Sequence, residues 1–450
     1  MARSAERVET STANTALAAG GATWRNWGGN QWCNPIAIQH PISEPDIAGV
    51  VRAAAERGQH LKVFGAGHSF TDIACTDGRL LSLNRYHRVL EIDERAGTVK
   101  VQAGITIEAL GAELEKHGMA QPNLGDVGYQ SVAGAISTAT HGTGRNLGNI
   151  STQVKAISLV TPDGSVVEAD AEHEPDVFAA ARVSLGALGV ISTVTLQCVP
   201  AFTLRSVEEP RTLDEVLERF DEYVEGNDHF EFFWIPHSDA AQTIFNNRTD
   251  DEPHPPSGAS TWFNDVLMEN HAFGMIQRLG AARTGWIPPL NRLTARLISH
   301  REVVDLSHHI FINPRLVRFV EMEYAIPREM VVDTVREVKR MIEKSGMEIS
   351  FPIEVRVAAA DDIPLSTATA RKTGYIAVHV FNKLPFEHYF REVEAIMNGV
   401  GGRPHWGKMH FQTAETLKPR YPQWDRFIAV RDRLDPDRRF GNAYTERVLG

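Results

Sequence analysis

Residues 63–78 read VFGAGHSFTDIACTDG, in which a small-residue turn at 65–67 is followed at once by His68 and Ser69. Glycines allow backbone N–H groups to approach a ligand closely, as loops that bind phosphate require. Such a loop has no need of an imidazole, however. The stretch therefore predicts a ligand-binding loop in which His68 either hydrogen-bonds a turn or is itself joined to the ligand.

Two further glycine-rich segments lie downstream. Residues 131–144 read SVAGAISTATHGTG and residues 184–192 read SLGALGVIS. Closely spaced N–H and O–H donors of glycine, serine and threonine suit a pyrophosphate, although each segment alone is as simply explained by a turn or by tight strand packing. Neither of the first two loops matches the GxGxxG strand-to-helix turn or the GxxxxGK[ST] loop. A nicotinamide-binding Rossmann site is therefore disfavoured.

The chain of 450 residues is 42% hydrophobic and 23% charged, which is an ordinary globular composition. Its length predicts two domains or one large split domain. The net charge of −11 disfavours nucleic acid and anionic membranes as partners, because both need a basic protein surface. A small neutral or anionic substrate remains compatible with a local cationic pocket.

Cysteine usage and the amino-terminal composition predict the compartment. The three cysteines, Cys33, Cys75 and Cys198, are widely spaced without a CxxC pair, so no metal or thioredoxin-like site is expected and a reducing cytosol is favoured. Residues 1–22 lack an apolar core and are predicted to be a disordered tail rather than a signal peptide. No apolar run reaches the ~20 residues of a membrane span. We therefore expect a soluble cytoplasmic protein without an integral membrane segment.

The chain changes character at Pro200. Before it, many short β runs occur with few helices, and ISTQVKAISLVTPDGSVVEA is predicted to be a β-hairpin with its turn at Asp163-Gly164. After it, strands alternate with amphipathic helices, which predicts an antiparallel sheet covered by helices. Residues 246–300 are rich in proline, arginine and asparagine and carry no clear pattern.

The glycine-rich segments resemble a known family in their order and context. VFGAGHSFTDIACTDG, PNLGDVGYQSVAGAISTATHGTG and ARVSLGALGVISTVTLQCVP resemble the FAD domain of the vanillyl-alcohol oxidase/p-cresol methylhydroxylase flavoproteins. The sugar-lactone branch, which comprises L-gulono-1,4-lactone oxidases and dehydrogenases and D-arabinono-1,4-lactone oxidases, is most similar, and FPIEVR and RPHWGK agree with it. The resemblance covers the chain from Trp24 onward.

This resemblance implies an α+β fold with two domains. A two-subdomain FAD-binding domain of the p-cresol methylhydroxylase type is expected over residues 23–200 and is completed by residues 412–450. An α+β cap domain with an antiparallel sheet covered by helices is expected over residues 201–411.

The resemblance also implies FAD as the cofactor, bonded covalently through His68. A histidyl substituent withdraws electrons from the flavin and raises its reduction potential, and it holds the cofactor permanently. The implied contacts are the backbone of Gly65, Ala66, Gly67 and Ser69 to the diphosphate; Ser131, Gly134, Thr138, Thr140 and His141 to the diphosphate and ribityl chain; Val190 and Ile191 to the adenosine; and Gly125 and Asp126 to the flavin.

The substrate side is expected in the segment IEVR. Glu354 and Arg356 are two residues apart in a predicted strand, so their side chains point to the same face. Such a pair on a surface contributes little, but between apolar neighbours it would be partly buried and marks a candidate site. By resemblance the pair grips lactone hydroxyls, Glu354 accepts the hydroxyl proton, Arg356 and Lys408 stabilise negative charge, and His379 lies nearby.

The implied reaction is oxidation of an aldono-1,4-lactone, of the L-gulono-1,4-lactone type, by hydride transfer to flavin N5. Enolisation of the 2-keto product gives ascorbate. L-Galactono- and D-arabinono-lactones fit the same motifs, and the sequence does not indicate an oligomeric state. Because an alanine at Gly125 narrows oxygen access in dehydrogenase relatives, the glycine favours oxygen as acceptor, with formation of hydrogen peroxide; a dehydrogenase with another acceptor is the alternative.

Two further hypotheses about the activity remain open. An alditol oxidase of the same fold would act on open-chain sugar alcohols, but such relatives have Ala-Ser where this chain has Gly125-Asp126. A flavin-binding assembly factor without catalysis is disfavoured by the joint presence of His68, Glu354, Arg356 and Lys408.

Overall fold

The computed structural model describes residues 16–18, 21–255, 273–313 and 317–450. The strands are β1 Ala16–Ala18, β2 Gly21–Arg25, β3 Trp32–Cys33, β4 Ala37–Gln39, β5 Leu61–Phe64, β6 Arg79–Ser82, β7 Val89–Asp93, β8 Thr98–Gln102, β9 Met119–Ala120, β10 Val154–Val160, β11 Val166–Asp170, β12 Val190–Gln197, β13 Val199–Pro200, β14 Thr203–Thr212, β15 His229–Trp234, β16 Ala240–Thr249, β17 Arg301–Leu306, β18 Phe319–Pro327, β19 Ile353–Ala358, β20 Thr373–Phe381 and β21 Arg403–Pro404.

The α-helices in the same residues are mostly short. They are α1 Glu44–Glu56, α2 Ile107–Glu115, α3 Val132–Ser137, α4 Pro175–Ala181, α5 Leu213–Glu218, α6 Phe220–Gly226, α7 Phe273–Ala282, α8 Ile287–Leu297, α9 Ser307–Phe311, α10 Val331–Ser345, α11 Glu387–Gly399, α12 Ala414–Leu417, α13 Trp424–Leu434 and α14 Ala443–Leu449. No helix in the described ranges is long and apolar enough to cross a bilayer.

Besides two small sheets of order β1-β2-β3 and β13-β9, two further sheets form the amino-terminal part of the chain. One is a parallel sheet of order β4-β6-β5, and the other is an antiparallel sheet of order β11-β10-β12-β8-β7. Strand β5 ends at Phe64, so the glycine-rich loop that begins at residue 65 emerges at the edge of the parallel sheet. The predicted hairpin is confirmed: β10 and β11 pair antiparallel, and Gly164 adopts a left-handed φ of 78° in the turn.

The carboxyl-terminal helices pack against this amino-terminal part. Side chains of α13 and α14, such as Phe427 and Val448, belong to the same apolar cluster as Ile47 of α1 and Val99 of β8. The Asn442 side chain donates to the carbonyls of residues 72, 73 and 75, at the end of the glycine-rich loop. The carboxyl-terminal segment therefore holds the loop in place.

Strands β14 to β21 form one antiparallel sheet of eight strands, in the order β17-β14-β16-β15-β19-β20-β18-β21. The predicted fold class, α+β with an antiparallel sheet covered by helices, is confirmed by this sheet and by the helices α10 and α11 that pack on it.

Side-chain alternation in three central strands separates an apolar face from a charged one. The apolar face meets α10 and α11 and carries Val320 and Met322 of β18, Ile353, Val355 and Val357 of β19, and Ile376, Val378 and Val380 of β20. The opposite face carries Glu321 and Glu323, Glu354 and Arg356, and Tyr375, Ala377 and His379. The sheet therefore turns its ionisable side chains toward the amino-terminal part of the chain.

Most of the predicted disordered tail, residues 1–22, lies outside the described residues. Its described part differs from the prediction, because Ala16–Ala18 pair antiparallel with residues 21–23 as a short hairpin. The stretch 246–300, which carries no clear sequence pattern, contains the end of β16 and the helices α7 and α8.

Candidate active site

The first of two neighbouring cavities lies against the glycine-rich loop. It has a volume of about 930 Å³, including solvent at its mouth, and β5, α3 and the segment before β12 form its walls. Nine residues predicted to bind the cofactor line it: Gly65, Ala66, Gly67, His68, Ser69, Ser131, Gly134, Thr138 and Ile191. Val190, which was predicted to contact the adenosine together with Ile191, is a buried residue of β12 and is not among the described residues that line the cavity.

Close approach of the loop to α3 explains why position 65 is a glycine. A Cβ atom at Gly65 would lie 2.2 Å from Oγ of Ser131. That hydroxyl is already engaged, because it accepts a hydrogen bond from the backbone N–H of Gly134 and so caps α3. The absence of a side chain at Gly65 therefore lets the loop lie directly on the first turn of α3.

His68 stands between two aromatic rings at the end of this cavity. Its imidazole stacks on Trp27 and is tilted against Tyr129, with ring centroids 4.4 Å apart in both cases. Its Nε2 atom is buried and has no hydrogen-bond partner among the described residues. Burial, reinforced by the charge of Lys408, lowers the pKa of His68 to about 3, so the ring is neutral. A neutral, positioned imidazole with an unengaged nitrogen fits a covalent bond to a ligand in the cavity.

The second cavity has a volume of about 920 Å³ and shares Gln130 with the first. It is lined by Gly125, Asp126, Val127, Thr140, His141, Phe233, Phe273, Phe319, Glu321, Glu323, Phe351, Pro352, Glu354, Arg356, His379, His405 and Lys408. The structure thus brings together the four residues predicted on the substrate side, Glu354, Arg356, His379 and Lys408, with Gly125, which was predicted at the flavin. It also places Thr140 and His141, which were expected at the diphosphate and ribityl chain, on this side.

Arg356 is a buried cation facing three carboxylates. Its Nε lies 2.5 Å from Oε1 of Glu354 and 2.6 Å from Oε2 of Glu231, and a terminal guanidinium nitrogen lies 3.7 Å from Asp126. Despite the short distances, Nε of Arg356 and Oε1 of Glu354 lack hydrogen-bond geometry to any described residue. The contact is therefore ionic, and both side chains line the second cavity.

Lys408 and Glu321 form a second buried ion pair. Nε2 of His379 lies 3.6 Å from Oε1 of Glu321 and 4.0 Å from Oε2 of Glu354, so the imidazole connects the two ion pairs. Its Nδ1 is 3.2 Å from the carbonyl oxygen of Pro352, which fixes the orientation of the ring. The two pairs and His379 form one continuous ionic network along the sheet.

The same network gives two glutamates opposite acidities. Burial alone would raise the pKa of Glu321, but the attraction of Lys408 and His379 outweighs it and holds this pKa at about 2. For Glu354, burial dominates over the attraction of Arg356, and the pKa is raised above its ordinary value. Glu321 is thus a fixed anion, whereas Glu354 is the carboxylate with higher proton affinity, as a general base requires.

His141 and Glu323 form the inner wall of the second cavity. Nε2 of His141 lies 2.9 Å from Oε1 of Glu323, Nδ1 lies 2.8 Å from the carbonyl oxygen of Gly142, and the ring stacks on Tyr375. Both ring nitrogens therefore face acceptors within the protein. The expected contact of His141 with the diphosphate and ribityl chain stays a prediction.

Gly125 lines the second cavity, and its φ lies outside the left-handed region. A Cβ atom there would be 2.9 Å from the carbonyl oxygen of His141 and 3.4 Å from the methyl group of Thr140. The glycine therefore accommodates a close backbone approach. The space that a side chain would fill is already occupied by the chain itself.

By the geometry of its side chains alone, the second cavity could also accept a metal ion. Glu321, Glu354 and His379 each offer a ligand atom within 4.8 Å of the others. Each carboxylate already has its own cation, Lys408 for Glu321 and Arg356 for Glu354. The charge of the cluster is therefore balanced by the protein without a metal.

Sequence reasoning missed four ionisable residues of the site: Lys62, Glu321 and Glu323, which are buried, and Glu231, which is half-buried. The two glutamates of FVEMEYAIP alternate with apolar residues just as Glu354 and Arg356 do in IEVR, so the same alternation rule would have found them.

Lys62 lines the first cavity, and its Nζ donates to the carbonyl oxygen of Phe440, 3.0 Å away. Its pKa is lowered to about 8 by burial.

Comparison with known proteins agrees with this site. The model of the D-arabinono-1,4-lactone oxidase family matches residues 194–448, and that of the FAD binding domain matches residues 35–170. The chain is 49% identical to L-gulono-1,4-lactone dehydrogenase of Mycobacterium tuberculosis, covering 95% of this chain and 99% of the relative. It is 37% identical to L-gulonolactone oxidase of Bos taurus, covering 95% and 98%.

Among solved structures, a solvent-stable cholesterol oxidase superposes with a TM-score of 0.79 at 18% identity, covering 94% of this chain and 96% of that chain. At this level of identity the likeness concerns the fold alone. Its coverage includes both the amino-terminal sheets and the eight-stranded sheet.

We expect Gly65→Ala to lower the flavin content of the purified protein, because relieving the overlap with Ser131 costs about 1–3 kcal/mol of strain. The measurement is flavin absorbance per mole of protein. Gly49→Ala is the matched control, since a Cβ there meets nothing within 4 Å. Adding Ser131→Ala to Gly65→Ala removes the clashing hydroxyl and should partly restore flavin. Full flavin content in Gly65→Ala would contradict the close-approach argument.

Proposed function

The chain belongs to the D-arabinono-1,4-lactone oxidase family of FAD-dependent oxidoreductases, and we propose that it oxidises L-gulono-1,4-lactone at the hydroxyl-bearing carbon beside the carbonyl. Aldonolactone oxidation is the chemistry of its relatives. The observation that supports the substrate site is the ion pair of Glu354 and Arg356, whose side chains line the cavity next to the one that contains His68. The product is the 2-keto lactone, whose enolisation gives ascorbate.

Each protein group has a task that follows from its charge. Arg356, a permanent cation, donates hydrogen bonds to lactone oxygens and stabilises negative charge as it develops on the reacting oxygen. Glu354, whose pKa is raised by burial, accepts the hydroxyl proton. Burial opposes the charge on His379, but Glu321 raises its pKa above the ordinary value, so His379 is a hydrogen-bond donor rather than the base.

The cofactor side is formed by the first cavity. The loop 65–69 and Ser131 would hold the diphosphate of FAD, and His68 would carry the covalent bond through a ring nitrogen. FAD, when bound, supplies the hydride acceptor. Lys408 keeps a positive charge in the neighbouring second cavity, because Glu321 and Glu323 raise its pKa despite burial.

Arg356→Ala should slow flavin reduction by L-gulono-1,4-lactone by about 10²-fold or more, because a charge-stabilising donor is lost from the transition state. Anaerobic stopped-flow bleaching, expressed per bound flavin, measures this rate. Arg433→Ala, which removes an exposed ion pair with Glu174, is the control and should leave the rate unchanged. Bleaching by Arg356→Ala at the wild-type rate would remove Arg356 from the mechanism. Failure of every aldonolactone to bleach the wild-type protein would contradict the proposed substrate class.

The covalent bond predicts that acid-precipitated protein stays yellow. His68→Ala should release all its flavin into the supernatant while retaining part of its FAD before precipitation, because the loop and Ser131 are unchanged. His173→Ala, an exposed histidine paired with Asp170, is the control and should behave as wild type. A colourless wild-type pellet would show that the flavin is not covalently bound.

The electron acceptor is a separate question, and two acceptors have support. Oxygen is supported by the missing side chain at Gly125 and by the cation Lys408. However, a Cβ at Gly125 would meet the carbonyl oxygen of His141, so the missing side chain leaves no opening for oxygen in that direction. The positive charge of Lys408 is also balanced by the carboxylate of Glu321. A non-oxygen acceptor is supported by these two facts and by the 49% identical relative, which is named a dehydrogenase. We infer that the non-oxygen acceptor has the stronger support.

Reoxidation of the substrate-reduced enzyme distinguishes the two. We expect slow reoxidation in air and fast reduction of cytochrome c or an artificial dye. Fast reoxidation in air with formation of hydrogen peroxide would establish an oxidase instead. Gly125→Ala should slow the lactone half-reaction as well, because it displaces the backbone of His141. A selective loss of the oxygen reaction would instead support the expectation that Gly125 controls oxygen access.

A further inference from the structure

A group of three metal-ligating side chains lies where helix α9 meets helix α2. Glu115 is the last residue of α2, and His308 and His309 are consecutive residues of α9. Each of the three offers one ligand atom, and these atoms lie within 4.8 Å of one another. None of the three residues lines either cavity, so the group is separate from the candidate active site.

Packing against α2 fixes the position of His308. A Cβ atom at Gly111 of α2 would lie 3.3 Å from Cβ and from Cδ2 of His308, so the absence of a side chain at Gly111 lets the imidazole lie on this helix. Nε2 of His308 is 3.4 Å from Oε2 of Glu115. Burial, reinforced by the neighbouring His309, lowers the pKa of His308, so the ring is uncharged at neutral pH and has a lone pair to offer a metal.

His309 is oriented by a carboxylate behind it. The backbone N–H of Leu306 donates to Oδ1 of Asp305 at 2.8 Å, and the same oxygen lies 3.3 Å from Nδ1 of His309. A carboxylate at Nδ1 favours the tautomer in which this nitrogen carries the hydrogen, so Nε2 keeps its lone pair. Histidines that bind metals in proteins are commonly held by a carboxylate in this way.

The charge of this group differs from that of the second cavity, where each carboxylate of the cluster has a lysine or an arginine as partner. In the part of the chain that the structure describes, Glu115 and Asp305 form ion pairs with His308 and His309 only, without a lysine or an arginine. Two carboxylates beside two imidazoles therefore carry negative charge that a bound cation can balance.

We propose that Glu115, His308 and His309 bind one Zn²⁺ ion. Two imidazole nitrogens and one carboxylate oxygen form a ligand set that zinc accepts, whereas calcium and magnesium prefer oxygen ligands alone. Three protein ligands leave the fourth tetrahedral position to water, which the exposed side chains of Glu115 and His309 allow to enter. The expectation that no metal site exists was based on the cysteines and does not concern these ligands.

The ion would connect two parts of the chain that are distant in sequence. Helix α2 packs in the apolar core of the amino-terminal part, whereas α9 follows directly after β17 of the eight-stranded sheet. Just beyond α9, the N–H of Asn313 donates to the carbonyl oxygen of Asp126, which lines the second cavity. Because the three ligands come together only in the folded chain, zinc should raise the unfolding temperature.

The test uses the purified holoenzyme without an affinity tag, freed of metal by a chelator and titrated calorimetrically with zinc chloride. We expect one Zn²⁺ per chain, a higher unfolding temperature with zinc than without it, and no displacement of zinc by an excess of Mg²⁺. His309→Ala and Glu115→Gln should each lose tight binding, and because both positions are exposed, the metal-free variants should fold as the wild-type protein does. Asp305→Asn should weaken binding by about 10–100-fold.

His117→Ala is the matched control, because this exposed histidine lies two positions after Glu115 and pairs with Glu94 instead. It should bind zinc as the wild-type protein does. Three outcomes would overturn the proposal. They are a wild-type protein that binds no zinc, an ion that both His309→Ala and Glu115→Gln retain, and a loss of zinc in His117→Ala equal to that in His309→Ala.

Discussion

The register of β18, β19 and β20 is the constraint on which the charged site depends. Because side chains alternate along each strand, a slip of one residue would turn the glutamates of β18 into the apolar layer under α10 and α11 and bring valines to the cavity. In the observed register Glu321 stands opposite His379, and Ala377 stands opposite both Glu323 and Glu354. The small side chain of Ala377 separates the two glutamates, so the register also creates room between them.

Burial of so many charges is tolerated because they are distributed as pairs. An isolated buried carboxylate would be protonated or would destabilise the fold, whereas a paired one stays ionised. Arg356 and Lys408 each interact with several carboxylates. His141, which lies in the amino-terminal part of the chain, contacts the carboxylate of Glu323. That last pair joins residues 182 positions apart, so the ionic network also connects the charged face of the large sheet to the glycine-rich segment 131–144.

The residue pattern within short stretches of sequence was enough to predict the features that depend only on residues close together in the chain. The glycine-rich loop, the hairpin at residues 163–164 and the shared face of Glu354 and Arg356 follow from turn chemistry and strand alternation. What could not be predicted depends on pairing between distant strands: Glu231 reaches Arg356 only because β15 lies beside β19. The contact between His141 and Glu323 could not be predicted for the same reason, since Glu323 is supplied by a strand far away in sequence.

Because their pKa values shift in opposite directions, Glu321 and Glu354 have different roles in the same cavity. Both glutamates are buried, so burial alone would raise both pKa values; the difference arises because Lys408 and His379 act together on Glu321, while Arg356 is shared among Glu354, Glu231 and Asp126. Two cations beside one carboxylate favour its ionised form more than one cation divided among three carboxylates does. Glu321 consequently remains a fixed counter-ion that favours the protonated forms of Lys408 and His379, and Glu354 is the carboxylate of higher proton affinity. The asymmetry of the two ion pairs, rather than either glutamate alone, is what supports Glu354 as the proposed base.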